Sequence, residues 1–183
     1  MTHILHVLDH SLPLHSGYTF RTRAILRAQM ARGWEVRGIT GHRHSASGPL
    51  EELVDGLHFH RTPGKPATGN PVLREWRDIA AHADAIEALV QQWRPDIIHA
   101  HSPVLNAIAA QRVAKRHAIP LVYEIRAFWE DAAVGNGTGT EGSPRYWLTR
   151  QLETHSVRNA DAVAVICEGL RADLATRGID PAK

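Results

Sequence analysis

The chain has 183 residues, 43% of them hydrophobic and 22% charged, which is enough for one globular domain with a sizeable core. A net charge of +2 is too small to indicate nucleic acid as a partner, and a single cysteine excludes an internal disulfide. The amino-terminal segment is too short and too polar for a signal peptide, and no apolar run approaches the length of a membrane span. The sequence therefore favours a cytoplasmic protein that does not bind nucleic acid.

Strand and helix patterns alternate from the amino terminus onward. Short apolar or alternating runs predict strands at 4–8, 34–40, 57–62, 96–101, 119–125 and 162–167. Apolar residues at helical spacing predict helices at 19–32, 72–93, 104–117, 144–159 and 169–177. Two longer loops are expected. The first covers 41–56 and contains a short helical turn at 50–54. The second is the glycine-rich stretch 134–142, which is either a lid, an acceptor loop or a plain surface loop.

This alternation is typical of an α/β fold with a doubly wound, mainly parallel sheet and helices on both faces. In such a sheet the binding site lies beyond the carboxyl ends of the strands. The loops to examine are therefore those that follow Leu8, Thr40, His101 and Ile125.

The first of these loops leads into a predicted helix. Gly17 lets the backbone approach a ligand, and Ser16 or Thr19 can cap the helix. The glycine pattern of dinucleotide-binding loops is absent, so a nicotinamide or flavin cofactor is not expected. Arg21 and Arg23 put positive charge at a helix amino terminus, which is unfavourable and predicts either an anion nearby or solvated side chains.

Histidine is unusually frequent, with 13 residues, and three pairs have the spacing His-x-His: 42/44, 58/60 and 99/101. On a strand both members of a pair point the same way. His99 and His101 end a central strand, as in metal hydrolases, but no second cluster of ligands is apparent. We therefore favour a hydrogen-bonding histidine that titrates near neutral pH over a metal site.

Polar and aromatic groups follow the predicted strand 119–125. Strand alternation puts Glu124 and Arg126 on one face, where they can pair. Glu130 and Asp131 are expected in the loop beyond, where a carboxylate can take a proton from a hydroxyl, and Trp129 can stack on a sugar or close the core. The alternative is a structural ion pair followed by an exposed acidic loop.

Taken in order, the segments of the chain resemble the N-terminal domain of the family-4 glycosyltransferases, which have the two-domain GT-B fold. The resemblance is carried by residues 13–18, 31–36, 55–63, 94–102, 119–124 and 159–167. The first loop and residues 123–131 resemble the branch associated with the exosortase A system, which accompanies bacterial exopolysaccharide production.

The resemblance implies retaining transfer of a sugar from a nucleotide-sugar donor to a hydroxyl of a saccharide or lipid-linked acceptor, with no cofactor and no metal. Residues 1–183 would be the acceptor-side Rossmann-like domain, inactive alone because the donor-binding domain is absent from this chain. From the residues alone, the arginines and aromatic groups of the helix at 145–158 allow contact with the inner membrane and a lipid-linked acceptor, but they favour a packed helix with solvated arginines.

The residues and the resemblance together give the candidate site. The substrate-binding set is Ser16, Gly17, Tyr18, Arg21, Arg126 and Trp129. Gly17 matches the family's loop near the donor phosphates, with Ser16 in place of a second glycine. Relatives carry a His or Asp after the fifth strand, where this chain has Arg126, so the catalytic candidates are Glu130, Asp131 and His101. The alternatives are a stand-alone, non-catalytic binding domain and a metal-dependent hydrolase that uses the His-x-His pairs.

Overall fold

The computed structural model describes residues 1–183, which form seven strands and six helices. The strands are β1 (His3–Leu8), β2 (Glu35–Thr40), β3 (Glu51–Val54), β4 (Leu57–Arg61), β5 (Ile97–His101), β6 (Leu121–Ile125) and β7 (Ala162–Val165). The helices are α1 (Gly17–Met30), α2 (Pro71–Gln92), α3 (Val104–His117), α4 (Trp129–Gly135), α5 (Pro144–Asn159) and α6 (Glu168–Thr176). None of these helices combines the length and apolar character that a membrane span requires.

All strands form one sheet in the order β3-β4-β2-β1-β5-β6-β7. Every neighbouring pair is parallel except β3 with β4, which confirms the predicted doubly wound, mainly parallel sheet. The chain runs outward from β1 in one direction to β2 and β4, and in the other to β5, β6 and β7. The loops after β1 and β5 therefore diverge, and this change of direction opens a crevice at the carboxyl ends of the central strands.

Strand alternation sends the residues of β1 to two different layers. Leu5 and Val7 belong to the larger apolar core, which packs against α2, α3 and α5. Ile4 and Leu8 belong to a smaller core beneath α1. His6 lies between these two on the same face and is fully buried, so the layer under α1 is partly polar.

Two local predictions are wrong. The stretch 50–54, expected to contain a helical turn, holds β3 (Glu51–Val54), which pairs with β4 through a two-residue turn at Asp55 and Gly56. Both turn residues have positive φ, 57° and 75°, as a type I′ hairpin requires, and Asp-Gly is a favoured pair there. Glu130 and Asp131, expected in a loop, lie in the first turn of α4.

Candidate active site at the carboxyl ends of the central strands

Asp9, His10 and Ser16 form a hydrogen-bonded chain in the loop between β1 and α1. Asp9 Oδ2 lies 2.9 Å from His10 Nδ1, and His10 Nε2 lies 2.7 Å from Ser16 Oγ. Tyr18 supports this loop, because its hydroxyl accepts a hydrogen bond from the Asp9 N–H at 3.1 Å and its ring centroid lies 4.6 Å from that of His10. Ser16 and Tyr18 were expected here from the sequence but Asp9 and His10 were not, although an Asp-His pair directly after a buried strand was a usable signal.

Gly17 leaves the first turn of α1 open. Ser16 is the N-cap, and its Oγ accepts a hydrogen bond from the Thr19 N–H at 3.1 Å. The N–H groups of Gly17 and Tyr18 donate to no acceptor in the chain, and a Cβ at Gly17 would meet no atom within 4 Å. Two backbone donors at the positive end of a helix therefore have no partner in the chain, and Gly17 is exposed, an arrangement that suits an anion.

The arginines at the start of α1 meet carboxylates from elsewhere in the chain. Arg21 Nε donates to Glu124 Oε1 at 3.1 Å. Arg23 donates to Asp55 in the β3–β4 turn, and Arg27 from the last turn of α1 donates to the same carboxylate. The carboxylates beside Arg21 and Arg23 offset the unfavourable interaction of these two cations with the helix dipole. The Arg21 side chain remains 48% exposed, so it can also reach a ligand in the crevice.

Arg126 connects the end of β6 to α1 through hydrogen bonds and is not free to bind a ligand. Its Nε donates to Glu124 Oε1 at 3.0 Å, which confirms the predicted pair. Its Nη1 donates to the Tyr18 carbonyl at 2.9 Å, and its Nη2 lies 3.0 Å from Thr22 Oγ1 and 2.7 Å from His101 Nδ1. Because four contacts occupy the guanidinium and only 9% of the side chain is exposed, the structure does not support the expected direct contact of Arg126 with substrate.

Glu124 stays ionised despite its position. Burial opposes its ionisation, but the close contact with His99, whose Nε2 lies 3.3 Å from Glu124 Oε2, the charge of Arg126 and the hydrogen bond from Arg21 outweigh this and lower its pKa to about 2. The carboxylate is therefore the fixed negative charge of the layer beneath α1.

His101 is buried beneath the crevice, where it connects Arg126 to His6 through hydrogen bonds. Arg126 can only donate, so His101 Nδ1 accepts, and His101 Nε2–H then donates to His6 Nδ1 at 2.9 Å. His6 Nε2–H in turn donates to Gln29 Oε1 at 2.8 Å. Burial, followed by the nearby charge of His99, lowers the pKa of His6 to about 3 and the pKa of His101 well below its ordinary value. The expectation that His101 titrates near neutral pH is wrong, and its complete burial keeps it from touching substrate.

The structure also brings His6 into contact with the pair His99 and His101. The register of β1 with β5 sets His6 beside His99, and ligand atoms of the three imidazoles all lie within 4.8 Å of one another. The sequence argument found no such cluster because the partner histidine lies more than ninety residues away in the chain. Both ring nitrogens of His101 are already hydrogen-bonded, so an ion would have to replace the bond between His6 and His101.

Glu130 and Asp131 have different environments. Glu130 is buried, and its Oε1 accepts a hydrogen bond from Arg177 Nη1 at 2.8 Å. It therefore does not reach a ligand in the crevice, which corrects its place among the catalytic candidates. Asp131 is exposed, and its Oδ1 accepts a hydrogen bond from the Tyr146 hydroxyl at 2.9 Å, so one carboxylate of the predicted pair remains open.

Across the crevice, Arg43 contacts the ring of Trp129, and Arg43 was not among the residues expected from the sequence. The Arg43 guanidinium lies 4.8 Å from the centroid of the Trp129 ring, with Nε 4.0 Å from Asp9 Oδ1 and Nη2 3.0 Å from Glu75 Oε2. Arg43 follows β2 and Trp129 follows β6, and these strands flank β1 and β5. The contact therefore spans the crevice and covers one face of the ring on which a sugar was expected to stack.

Known proteins resemble this chain over most of its length. A family model described as a glycosyl transferase 4-like domain matches residues 16–183. The UDP-N-acetylglucosamine–N-acetylmuramyl-(pentapeptide) pyrophosphoryl-undecaprenol N-acetylglucosamine transferase of Maricaulis maris is 32% identical over 103 residues, which are 52% of this chain and 27% of that protein.

Solved structures show the same fold at low identity. Sucrose-phosphate synthase from Thermosynechococcus elongatus superposes with a TM-score of 0.73 at 17% identity over 96% of this chain and 45% of that one. MurG from Acinetobacter baumannii superposes with a TM-score of 0.57 at 11% identity over 90% and 41%. The chain thus spans 27% of its curated relative and less than half of these structures.

The sheet order, the crevice at its change of direction and the match over residues 16–183 agree with one another. The chain belongs to the glycosyl transferase 4-like domain family and has the fold of one Rossmann-like half of a GT-B glycosyltransferase.

Proposed function

We propose that this chain is the acceptor-side domain of a retaining glycosyltransferase that moves a sugar from a nucleotide-sugar donor to a hydroxyl of a saccharide or lipid-linked acceptor. The product belongs to exopolysaccharide or other glycoconjugate synthesis, at the cytoplasmic side of the inner membrane. A second, donor-binding domain completes the crevice, and no cofactor or metal takes part.

One observation carries this proposal. The N–H groups of Gly17 and Tyr18 have no partner in the chain, and they begin the helix that also carries the exposed Arg21. When the bond between sugar and nucleotide breaks, negative charge grows on the departing diphosphate. Backbone donors that are already oriented stabilise such charge without reorganisation.

The test uses Gly17→Ala in this chain joined to a donor-binding domain. The added methyl meets no atom of the protein within 4 Å, so the fold is kept, but it occupies room that a phosphate needs. We expect kcat/KM for the nucleotide sugar to fall at least about tenfold, while the free energy of unfolding stays equal or rises by about 0.5–1 kcal/mol. The matched control is Gly135→Ala, whose Cβ also meets no atom within 4 Å.

Gly135→Ala should transfer sugar like the wild type. Wild-type kcat/KM in Gly17→Ala would refute the role of the first-turn amides. Failure of the wild type to transfer from any of the common nucleotide sugars would refute the activity itself. The anomeric configuration of the product, read by NMR, decides whether transfer is retaining.

Asp131 is the carboxylate that we assign to the acceptor hydroxyl. It is exposed at the start of α4, whereas Glu130 is buried. We expect Asp131→Asn to lower kcat by about 100-fold, the usual range for loss of a positioned proton acceptor, with little change in the KM for the donor. Tyr146→Phe, which removes only the hydrogen bond to Asp131, is the control and should keep most of the activity. Wild-type kcat in Asp131→Asn would contradict this assignment.

A metal-dependent hydrolase is the second candidate, and the cluster of His6, His99 and His101 is the observation that favours it. It ranks lower because Arg126 and His6 already occupy both nitrogens of His101. Metal analysis of protein purified without a histidine tag separates the two. Stoichiometric zinc, iron or manganese would support the hydrolase, and its absence would end it.

A further inference from the structure

The first loop contains a second chemical arrangement, independent of sugar transfer. Asp9, His10 and Ser16 are connected in the order carboxylate, imidazole, hydroxyl, with contacts of 2.9 Å and 2.7 Å. A hydroxyl within hydrogen-bonding distance of a base that a third group orients is the usual signature of an activated nucleophile.

The direction of each hydrogen bond follows from the groups themselves. The Asp9 carboxylate can only accept, so His10 Nδ1 carries the proton and Nε2 of the neutral ring is an acceptor. Ser16 O–H can then donate to His10 Nε2. On the other side of Ser16 Oγ, the Thr19 N–H donates to it at 3.1 Å, and Thr19 Oγ1 lies 3.1 Å away, where it can accept the Ser16 proton or donate its own. In the arrangement that activates the nucleophile, the Ser16 O–H donates to His10 Nε2 and the Thr19 hydroxyl donates to Ser16 Oγ.

The surroundings leave this hydroxyl accessible. Ser16 is partly exposed, Gly17 beside it is exposed, and the free N–H groups of Gly17 and Tyr18 begin the helix that Ser16 caps. The side chains of Asp9 and His10 are about one-fifth exposed, so solvent reaches the base while the carboxylate holds its orientation.

We propose that Ser16 is an activated nucleophile that accepts acyl groups from esters. Ser16 Oγ bonds to the ester carbonyl carbon while its proton passes to His10 Nε2. The carbon–oxygen bond to the alcohol then breaks, and the alcohol leaves with that proton. Water, deprotonated by His10, attacks the acyl carbon, and the acid is released as the Ser16 hydroxyl is restored. Asp9 is a positioning residue that orients His10.

Ser143 is an internal control, since it is also a helix N-cap. Its Oγ accepts a hydrogen bond from the Tyr146 N–H at 3.2 Å, as Ser16 Oγ does from Thr19, but no histidine contacts it. The pair therefore differs in the base and not in the cap. Asn at either position keeps a capping oxygen and removes the hydroxyl.

The experiment treats this chain, as it stands, with a fluorophosphonate probe and locates the label by mass spectrometry, with release of p-nitrophenol from p-nitrophenyl acetate as a second measurement. We expect Ser16 to be labelled about 100-fold faster than Ser143, the range that a positioned base supplies. Ser16→Asn should abolish both signals and Ser143→Asn neither. His10→Ala should slow the labelling of Ser16 by about the same factor, and added imidazole should restore part of the rate.

Asp9→Asn tests the positioning role through the dependence of the labelling rate on pH. Loss of the carboxylate should slow labelling and move the midpoint of the rate profile to lower pH, with Arg43 and His44 as the other charged or titratable groups nearby. Equal labelling of Ser16 and Ser143 in the wild type would overturn the proposal, as would full labelling in His10→Ala. Neither result depends on whether the chain transfers sugars, so the two proposals fail separately.

Discussion

Replacing Arg126 with Met tests whether the layer beneath α1 holds the first loop in place. The variant keeps most of the side-chain volume but removes the charge and four contacts, those to Glu124, Tyr18, Thr22 and His101. Glu124 then stays buried with fewer partners. Truncating one member of a buried ion pair costs about 3–5 kcal/mol, and we expect a loss of that size in the free energy of unfolding.

Urea unfolding at pH 7, followed by circular dichroism, measures this loss. Arg116→Met is the control, because Arg116 also pairs with a carboxylate, Glu87, but its side chain is 65% exposed. Exposed pairs contribute about 0–1 kcal/mol, so the control should change little. A loss below about 1 kcal/mol in Arg126→Met would refute the structural role of this side chain.

The stability difference between wild type and Arg126→Met can also be measured as a function of pH. The pKa of Glu124 is lowered from 4.5 to about 2, so the stabilisation that its charge provides is complete above about pH 4.5 and is lost as pH falls through about 2. Protonated Glu124 no longer needs a cation beside it. The difference in stability between wild type and Arg126→Met should therefore shrink as pH falls from 4.5 towards 2. A difference that is independent of pH would mean that packing, and not charge, explains the loss.

Two further predictions concern stability elsewhere. Burial raises the pKa of Glu153 to about 8, so between about pH 4.5 and about pH 8 the folded protein keeps a proton that the unfolded chain has released, and the free energy of unfolding falls as pH rises. Glu153→Gln still accepts a hydrogen bond from the Tyr123 hydroxyl and should remove this pH dependence, which urea titrations at pH 5 and pH 8 would measure. An unchanged slope would contradict it. Gly56→Ala puts a side chain on a residue whose φ is +75° and should lower the free energy of unfolding by about 1–2 kcal/mol. Gly48→Ala is the control, because φ is not positive there and a Cβ makes an ordinary contact; its free energy of unfolding should stay within about 0.5 kcal/mol of wild type. Equal midpoints of thermal unfolding for the two glycine variants would refute this reasoning.

The fold could be predicted from the sequence because its signals are local. Runs such as Ile4–Leu8 and the stripe of apolar residues in α2 identify their elements by spacing alone. The missed strand β3 has no apolar alternation strong enough to stand out, since all four of its residues are exposed or only half-buried. The Asp-Gly turn after it was a readable signal for a hairpin.

The site was harder to predict because its contacts join distant parts of the chain. Glu130 is paired with Arg177, which directly follows the last helix, and nothing near Glu130 in the sequence indicates this. His6 reaches His101 only through the register of β1 with β5. Residue type and strand position correctly predicted that Glu124 and Arg126 pair, but they could not show that α1 uses up the remaining donors of Arg126.

The buried layer beneath α1 has a consequence for enzymology. Burial lowers the pKa of His6 to about 3 and the pKa of His101 well below its ordinary value, while the pKa of Glu124 is lowered to about 2. Across the physiological range these three groups therefore keep one charge state each, neutral for the two imidazoles and negative for the carboxylate. The part of the electrostatic potential in the crevice that comes from His6, His101 and Glu124 is thus independent of pH, so a rate–pH profile measured in this range reports on other groups.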